Sequence, residues 1–233
     1  MDKKVFVIAI DGPVASGKGT ISTKLARELK GFYLSSGAMY RAFGLHCLEN
    51  KIDITAEEAI VKALIGVEIE LTDKAVLLNG TDVTERTKDQ DVSNTASIIA
   101  MFPKVRERLL VKQHQIATNA LNNGKIVVAE GRDTGTKVFP DAPIKIYLTA
   151  DKDTRAARRL AQYQDSGQIT TTLDEVMEEI TERDRRDTER VADPLPKNPV
   201  ELGYFILDSS NMTEERTLEA IMEELKRREL INK

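Results

Sequence analysis

"KVFVIAIDGPVASGKGT", residues 4–20, runs from an apolar segment straight into a glycine-rich turn. Lys4–Ile10 is apolar and β-branched almost throughout, which suits a strand buried on both faces, as in a parallel sheet. The turn matches G-x-x-x-x-G-K, but Gly19 follows Lys18, and the hydroxyl arrives one place later at Thr20. The physical logic survives the shift. Glycines let the backbone curl until successive N–H groups face phosphate oxygens, and the next helix adds its positive end. Gly12, Pro13, Val14, Ala15, Ser16, Gly17, Lys18, Gly19 and Thr20 are therefore the candidate triphosphate cradle, with Lys18 reaching the β- and γ-phosphates. Whether Thr20, Ser16 or waters meet Mg²⁺ stays open. A bare glycine turn without a ligand is the plainer alternative, and the order strand, loop, lysine, helix argues against it.

Outward from the turn, strands and helices alternate. A helix is expected over 20–30, stopped by Gly31, followed by a short strand over Phe32–Leu34 and a helix over Gly37–Asn50. The spelling T-A-E-E at Thr55 reads as a capped helix start. Val67–Leu71, Ala75–Leu78 and Thr81–Thr84, around turns at Thr72–Lys74 and Asn79-Gly80, read as a small antiparallel unit inserted into the αβ pattern. Helices resume from Asp89 to Asn122, interrupted at Pro103. Lys125–Ala129, Ile144–Leu148 and Tyr204–Leu207 complete five core strands. Helices are expected from Lys152, over Leu173–Arg190 and over Thr213–Leu230. The alternation implies a doubly wound α/β sheet with helices on both faces.

Composition narrows the partners. The 233 residues are 41% hydrophobic and 31% charged, enough for a sizeable core under a soluble surface. A net charge of -4 argues against a nucleic-acid polymer as ligand, although a few arginines in a cleft could still hold phosphates. One cysteine, Cys47, fits a reducing compartment, and no apolar run suits a signal peptide or a membrane span, so a cytoplasmic location is expected. His46 and His114 are too few and too scattered for a metal cluster.

Two features tempt other readings. Asn50-Lys51-Ile52-Asp53 spells the guanine-reading N-K-x-D, but it falls only about thirty residues past the glycine turn, and no D-x-x-G exists to hold a switch loop. "TERDRRDTERV", residues 181–191, alternates arginines with acids, as solvated helix faces do. Arg183, Asp187 and Arg190, at i, i+4 and i+7, nevertheless share one face. Arg185 and Glu189 are expected on the water side, and Arg186 on either. Asp184 and Asp187 resemble a metal pair, but their arginine neighbours satisfy them more simply, so no protein-caged metal is expected.

"SSGAMYR" (35–41), "FPKVRERLL" (102–110), "EGRDTGTKVFPDAPIKIYLTA" (130–150) and "ERDRRDTER" (182–190) together give the chain a specific resemblance. It resembles the bacterial cytidylate kinases of the nucleoside monophosphate kinase family over nearly its whole length. The resemblance implies one domain over 1–233. It has a P-loop kinase core with a five-stranded parallel sheet, an acceptor-binding insertion near 52–100 and a lid near 158–172. It also implies transfer of the γ-phosphoryl group of MgATP to CMP or dCMP. The partners would be small molecules, with no nucleic-acid polymer and no membrane, and the protein would act as a monomer. Another small-molecule P-loop kinase, or a nucleotide-binding switch, is the alternative.

The residue roles implied by the resemblance make chemical sense. Two polyanions must approach each other, so catalysis is positioning plus cationic stabilisation, and arginine grips oxygens with a planar, permanently charged fork. Arg41, Arg132 and Arg190 would hold the acceptor's phosphate, beside Ser36. Arg183 and Asp187 would bind its sugar hydroxyl. Arg158 or Arg159 would reach over the donor phosphates from the lid, with the choice left open. Asp133 and Ser97 would accept from cytosine's exocyclic amine, and Arg106 would donate to N3 and O2. Asp133 could instead serve as a partner for Arg132. Glu130 is a longer acid than the resemblance suggests at its position, and it is not expected to change the substrate.

Overall fold

The computed structural model describes residues 4–72, 75–165 and 170–232. Strand β1 (Val7–Asp11) is buried at all five residues, as its apolar run requires. Helix α1 (Lys18–Glu28) starts two residues earlier than expected. Gly17 takes the cap position in a left-handed conformation (φ 87°), which lets the turn feed directly into the helix at Lys18. The helix also ends early: Lys30 adopts φ 48°, and the Gly31 N–H returns to the Ala26 carbonyl at 2.8 Å.

Strands β2 (Phe32–Ser35), β6 (Val127–Gly131), β7 (Ile144–Thr149) and β8 (Phe205–Asp208) join β1 in a five-stranded sheet of order β2-β6-β1-β7-β8, every pair parallel. On one face Ile8 and Ile10 pack with α1 and the final helix α8 (Glu214–Arg227), through Leu25, Ile221 and Leu225. On the other, Val7 and Val127 meet Ala117 and Ala120 of α5 (Pro103–Asn122). The parallel register brings Asp11 level with Gly131 and Ser35 level with Glu130. The glycine turn, "SSGAMYR" and "GRDTGT" therefore all leave the sheet at one carboxyl edge, where doubly wound sheets bind ligands.

Helix α2 (Ser36–Glu49) leads into α3 (Glu57–Ala63) and the antiparallel strands β3 (Ile69–Leu71), β4 (Val76–Leu78) and β5 (Thr81–Asp82). This unit and α4 (Gln90–Ile99) build a separate apolar cluster around Phe43, Ile60, Ile69 and Ile99. The turn expected at Thr72–Lys74 falls partly on residues 73 and 74, outside the described residues. Helix α3 begins without the expected side-chain cap. The Thr55 hydroxyl and N–H both turn back to Asp53 Oδ1, at 2.7 and 2.9 Å, and form a local turn instead. The N-K-x-D spelling is likewise used structurally, since Asn50 Nδ2 donates to the His46 carbonyl at the end of α2.

Helices α6 (Lys152–Asp165) and α7 (Leu173–Glu189) pack on each other and on the glycine turn through Val14, Ala156, Tyr163, Val176 and Ile180. Thr172 and Glu175 cap the start of α7 reciprocally. Residues 166–169 of the expected lid lie outside the described residues. Among the described residues no helix is long and apolar enough to cross a membrane.

Candidate active site

The glycine turn is shaped by the sheet beneath it. A side chain at Gly12 would collide with the Leu148 carbonyl at the end of β7. The Lys18 ammonium curls back to the Pro13 carbonyl at 2.7 Å. Burial, followed by the positive charge of Arg132, pushes its pKa down to about 7. Two helices hold the turn from outside. Arg155 of α6 donates to the Val14 carbonyl (3.1 Å) and to Asp184 of α7 (2.7 Å), and Asp184 accepts from the Val14 N–H (3.3 Å).

A cleft opens from this turn across the carboxyl edge of the sheet. Among the described residues seven cations line it: Lys18, Arg41, Arg106, Arg132, Arg159, Arg183 and Arg190. Against them stand three acids, Glu130, Asp133 and Asp187. The cleft is thus strongly positive in a chain whose net charge is -4. Val14, Ala15, Ser16, Gly17, Gly19 and Thr20 line it as well, together with Ser36 and Ser97. Gly12 and Pro13 support the turn from beneath and do not line the cleft.

The two candidate lid arginines part company. Arg158 donates to the Ser209 carbonyl (2.7 Å) and hydroxyl (3.0 Å) and to the Ser16 carbonyl (3.4 Å), fastening the glycine turn to the end of β8. Arg159 lines the cleft, its guanidinium over the Tyr163 ring at 4.4 Å.

Just beyond β6, Arg132 and Asp133 both line the cleft but have different partners. Among the described residues no ion pair joins Asp133 to Arg132. Arg132 Nε donates to Asp187 at 2.6 Å, while Asp133 accepts from Arg106 at 2.5 Å and from Arg190 at 3.4 Å. Arg183 donates to Ser93 Oγ of α4 at 2.8 Å. Burial, then the neighbouring Arg132, lowers the Arg183 pKa to about 10, and burial lowers that of Arg41. Asp187 stays ionised below the ordinary carboxylate range: burial opposes its charge, and Arg132, Arg183 and Arg190 outweigh it. Among the described residues, the buried Ser97 hydroxyl and the Arg41 Nε have no hydrogen-bond partner. Such groups are costly until a ligand meets them.

Several residues of the site carry no local signal in sequence. Asp11, fully buried, accepts from the Thr134 and Gly135 N–H groups and from the Tyr204 hydroxyl, all between 2.7 and 2.8 Å, and so fixes the segment that bears Arg132 and Asp133. Burial raises its pKa despite those three donors. An acid closing an otherwise apolar strand was the available clue, because a buried carboxyl must find donors. Asp193, at φ 48°, holds Arg106 through its carboxylate and Arg190 through its carbonyl. Glu130 accepts from Ser35 Oγ at 2.5 Å and from the Tyr33 hydroxyl at 3.3 Å.

A parallel sheet with a phosphate-type glycine turn, facing a cleft of convergent arginines, defines a small-molecule phosphotransferase of the P-loop class. A sequence model of the family described as cytidylate kinase matches residues 8–227. Cytidylate kinases of Azotobacter vinelandii and of an Enterobacter species are each 39% identical, covering 99% and 93% of this chain and equal shares of their own. The chain belongs to the cytidylate kinase family, and it is an enzyme that transfers a phosphoryl group from ATP to CMP or dCMP. Among solved structures, an uncharacterised protein from Eubacterium ventriosum (TM-score 0.53, 16% identity, 96% of this chain and 99% of that one) shares the fold. So does TT1252 from Thermus thermophilus (0.50, 17%, 97% and 98%).

Proposed function

We propose that ATP and CMP or dCMP meet end to end in this cleft, and that its cations carry the transfer. The observation behind this reading is the convergence of seven cations, from six segments of the chain, beside the glycine turn. The acceptor phosphate is largely dianionic near neutrality, its second pKa being about 6, so it needs no general base. One of its oxygens bonds to the γ-phosphorus while the bond from that phosphorus to the β–γ bridging oxygen breaks. ADP leaves with the electron pair, and charge spreads over the equatorial oxygens in between.

In this reading Lys18 and the turn's N–H groups hold the donor's β- and γ-phosphates. Arg41, Arg132 and Arg190 hold the acceptor phosphate beside Ser36, and Arg183 and Asp187 meet the sugar. Arg159, rather than Arg158, reaches the transferring group, because Arg158 is engaged by Ser209 behind the turn. Asp133 and Ser97 accept from the cytosine amine while Arg106 donates to N3 and O2. The unpartnered Ser97 hydroxyl supports that assignment. The roles combine in one domain over 1–233, with residues near 52–100 binding the acceptor and residues near 158–172 forming a lid. One chain supplies every side chain named, so a monomer suffices.

Mg²⁺ would arrive with ATP. The Thr20 hydroxyl and the Glu130 carboxylate, both on the cleft wall, are oxygen groups suited to a hard cation that keeps most of its waters. The buried, unpartnered Ser16 Oγ is a second hydroxyl within the turn. When bound, the ion would supply positive charge to offset the charge that develops on the phosphates during transfer.

A coupled assay across CMP, dCMP, UMP, AMP and dTMP tests the reading, with CMP and dCMP expected to turn over best. Faster turnover of any other monophosphate would reject the base assignment. A nucleotide switch lacking an acceptor site would show no thermal stabilisation by CMP alone.

A further inference from the structure

The cleft-facing side of α7 continues one turn beyond Arg183. Glu179, Arg183, Asp187 and Arg190 are spaced by four, four and three residues, so they form one stripe along the helix. Glu179 is acidic and mostly buried, with a side chain 12% exposed. Its Oε1 accepts from Arg159 Nη2 at 3.3 Å. Its Oε2 accepts from the Tyr163 hydroxyl at 2.6 Å and from Gln90 Nε2 of α4 at 3.4 Å. Tyr163 is 2% exposed, and burial holds its phenol protonated, with a pKa near 12, so it remains a donor. The same ring lies 4.4 Å beneath the Arg159 guanidinium.

An arginine on a helix surface has several rotatable bonds and costs entropy to fix. Here a carboxylate grips one edge of its guanidinium and an aromatic ring supports its face, so one orientation is selected before any nucleotide arrives. A single glutamate organises both supports, because it also anchors the tyrosine that forms the ring platform. Through Gln90 it ties this arrangement to α4, whose Ser93 receives Arg183 one turn further on.

We propose that Glu179, acting with Tyr163, is the positioning residue that aims Arg159 into the cleft. This rests on the reading that Arg159 stabilises the transferring phosphoryl group. Glu179 itself touches no phosphate. It acts through Arg159, and its removal should be felt in turnover more than in acceptor affinity.

The test is a double-mutant cycle on Arg159→Ala and Glu179→Gln, with kcat and both KM values measured and thermal midpoints recorded for each variant. Arg159→Ala is expected to lower kcat by about 10³-fold. Glu179→Gln is expected to lower kcat by about ten-fold with KM for CMP nearly unchanged, and the double variant should be no slower than Arg159→Ala alone. Tyr163→Phe, which keeps the ring and removes the hydroxyl, should show a smaller loss in the same direction. Losses that multiply in the double variant would make Glu179 an independent structural residue and overturn the proposal. A rise in kcat in Glu179→Gln would overturn it too, by showing that the acid holds Arg159 back. Normal turnover in Arg159→Ala, with CMP phosphorylation intact, would remove the underlying role of Arg159. That failure is distinct, because it is visible in the single variant.

Discussion

Helix α7 offers two faces built from the same residue types. On one, Arg185 bridges Glu182 and Glu189 with good geometry, at 2.8 and 3.1 Å, yet all three side chains are about half exposed. On the other, Asp187 and Arg190 are only 10% and 4% exposed, and they share their neighbourhood with Arg132 and Arg183. Pairs in water are screened and contribute about 0–1 kcal/mol. In the cleft that this face lines, cations outnumber acids, so part of their mutual repulsion and desolvation remains uncompensated within the protein. Arg186 is also largely buried, but it pairs with Glu182 and does not line the cleft. What separates a solvated helix face from an anion clamp is therefore the surroundings the fold supplies and not the pattern of charges.

The sharpest way to break this contrast is Arg190→Ala. It should lower phosphorylation of CMP by about 10³-fold or more, while the circular dichroism spectrum stays native. Near-normal turnover would return the buried face to the same idle status as the exposed one.

A smaller effect is expected at the base pocket. Asp133→Asn replaces an acceptor-only carboxylate with an amide that can donate to uracil. Discrimination between CMP and UMP, read as the ratio of kcat/KM values, should fall by about ten- to a hundred-fold, the equivalent of about 1–3 kcal/mol for one unsatisfied buried group. Unchanged selectivity would leave Asp133 as a holder of Arg106 and Arg190 alone.

The amino-acid sequence alone makes part of the contrast between faces legible. The helical spacing of Arg183, Asp187 and Arg190 puts them on one side, and the glycine turn after an apolar strand locates the phosphate end of the cleft. Both are local patterns, and local patterns survive in sequence. The partners are not legible there. Asp184 supports Val14 from 170 positions away, and Asp11 fixes residues 134 and 135 from over 120 positions away. Glu179 gains a role only when α6 and α7 pack together. The expected cap at Thr55 fails for a related reason, since Asp53 draws Thr55 into a local turn and the helix starts later, with Ala56 at the cap position. The choice between Arg158 and Arg159 also depends on packing, because adjacent helical residues point about 100° apart and only one faces the cleft.

Helix α1 repeats the contrast with lysines and adds a pH dependence. Lys24, exposed and paired with Glu214, has its pKa raised by that hydrogen bond, whereas burial and Arg132 hold that of Lys18 near 7. Between pH 7 and about 10.5 the unfolded chain binds a proton at Lys18 that the folded chain releases, so stability rises with pH across that window. Without nucleotide, Lys18→Met should be the more stable protein at and below pH 7, with its advantage shrinking as pH approaches 10. Thermal midpoints of the two proteins over that range check the sign. A gap that does not change with pH would mean that the lysine is not held in an unfavourable charged state.

The smallest effect expected is at Arg185, and it tests the comparison from its uneventful side. Among the described residues Arg185 makes more hydrogen bonds to carboxylates than Arg183 does, three against none, so a ranking by bonds alone would make it the more important residue. Its partners are exposed, it lies outside the cleft lining, and removing it leaves no buried charge unpaired. Arg185→Ala should change unfolding free energy by no more than about 0.5 kcal/mol and leave kcat/KM for CMP at the wild-type value. A large loss of activity would mean that the exposed face also contributes to the clamp, and that burial is not what distinguishes the two.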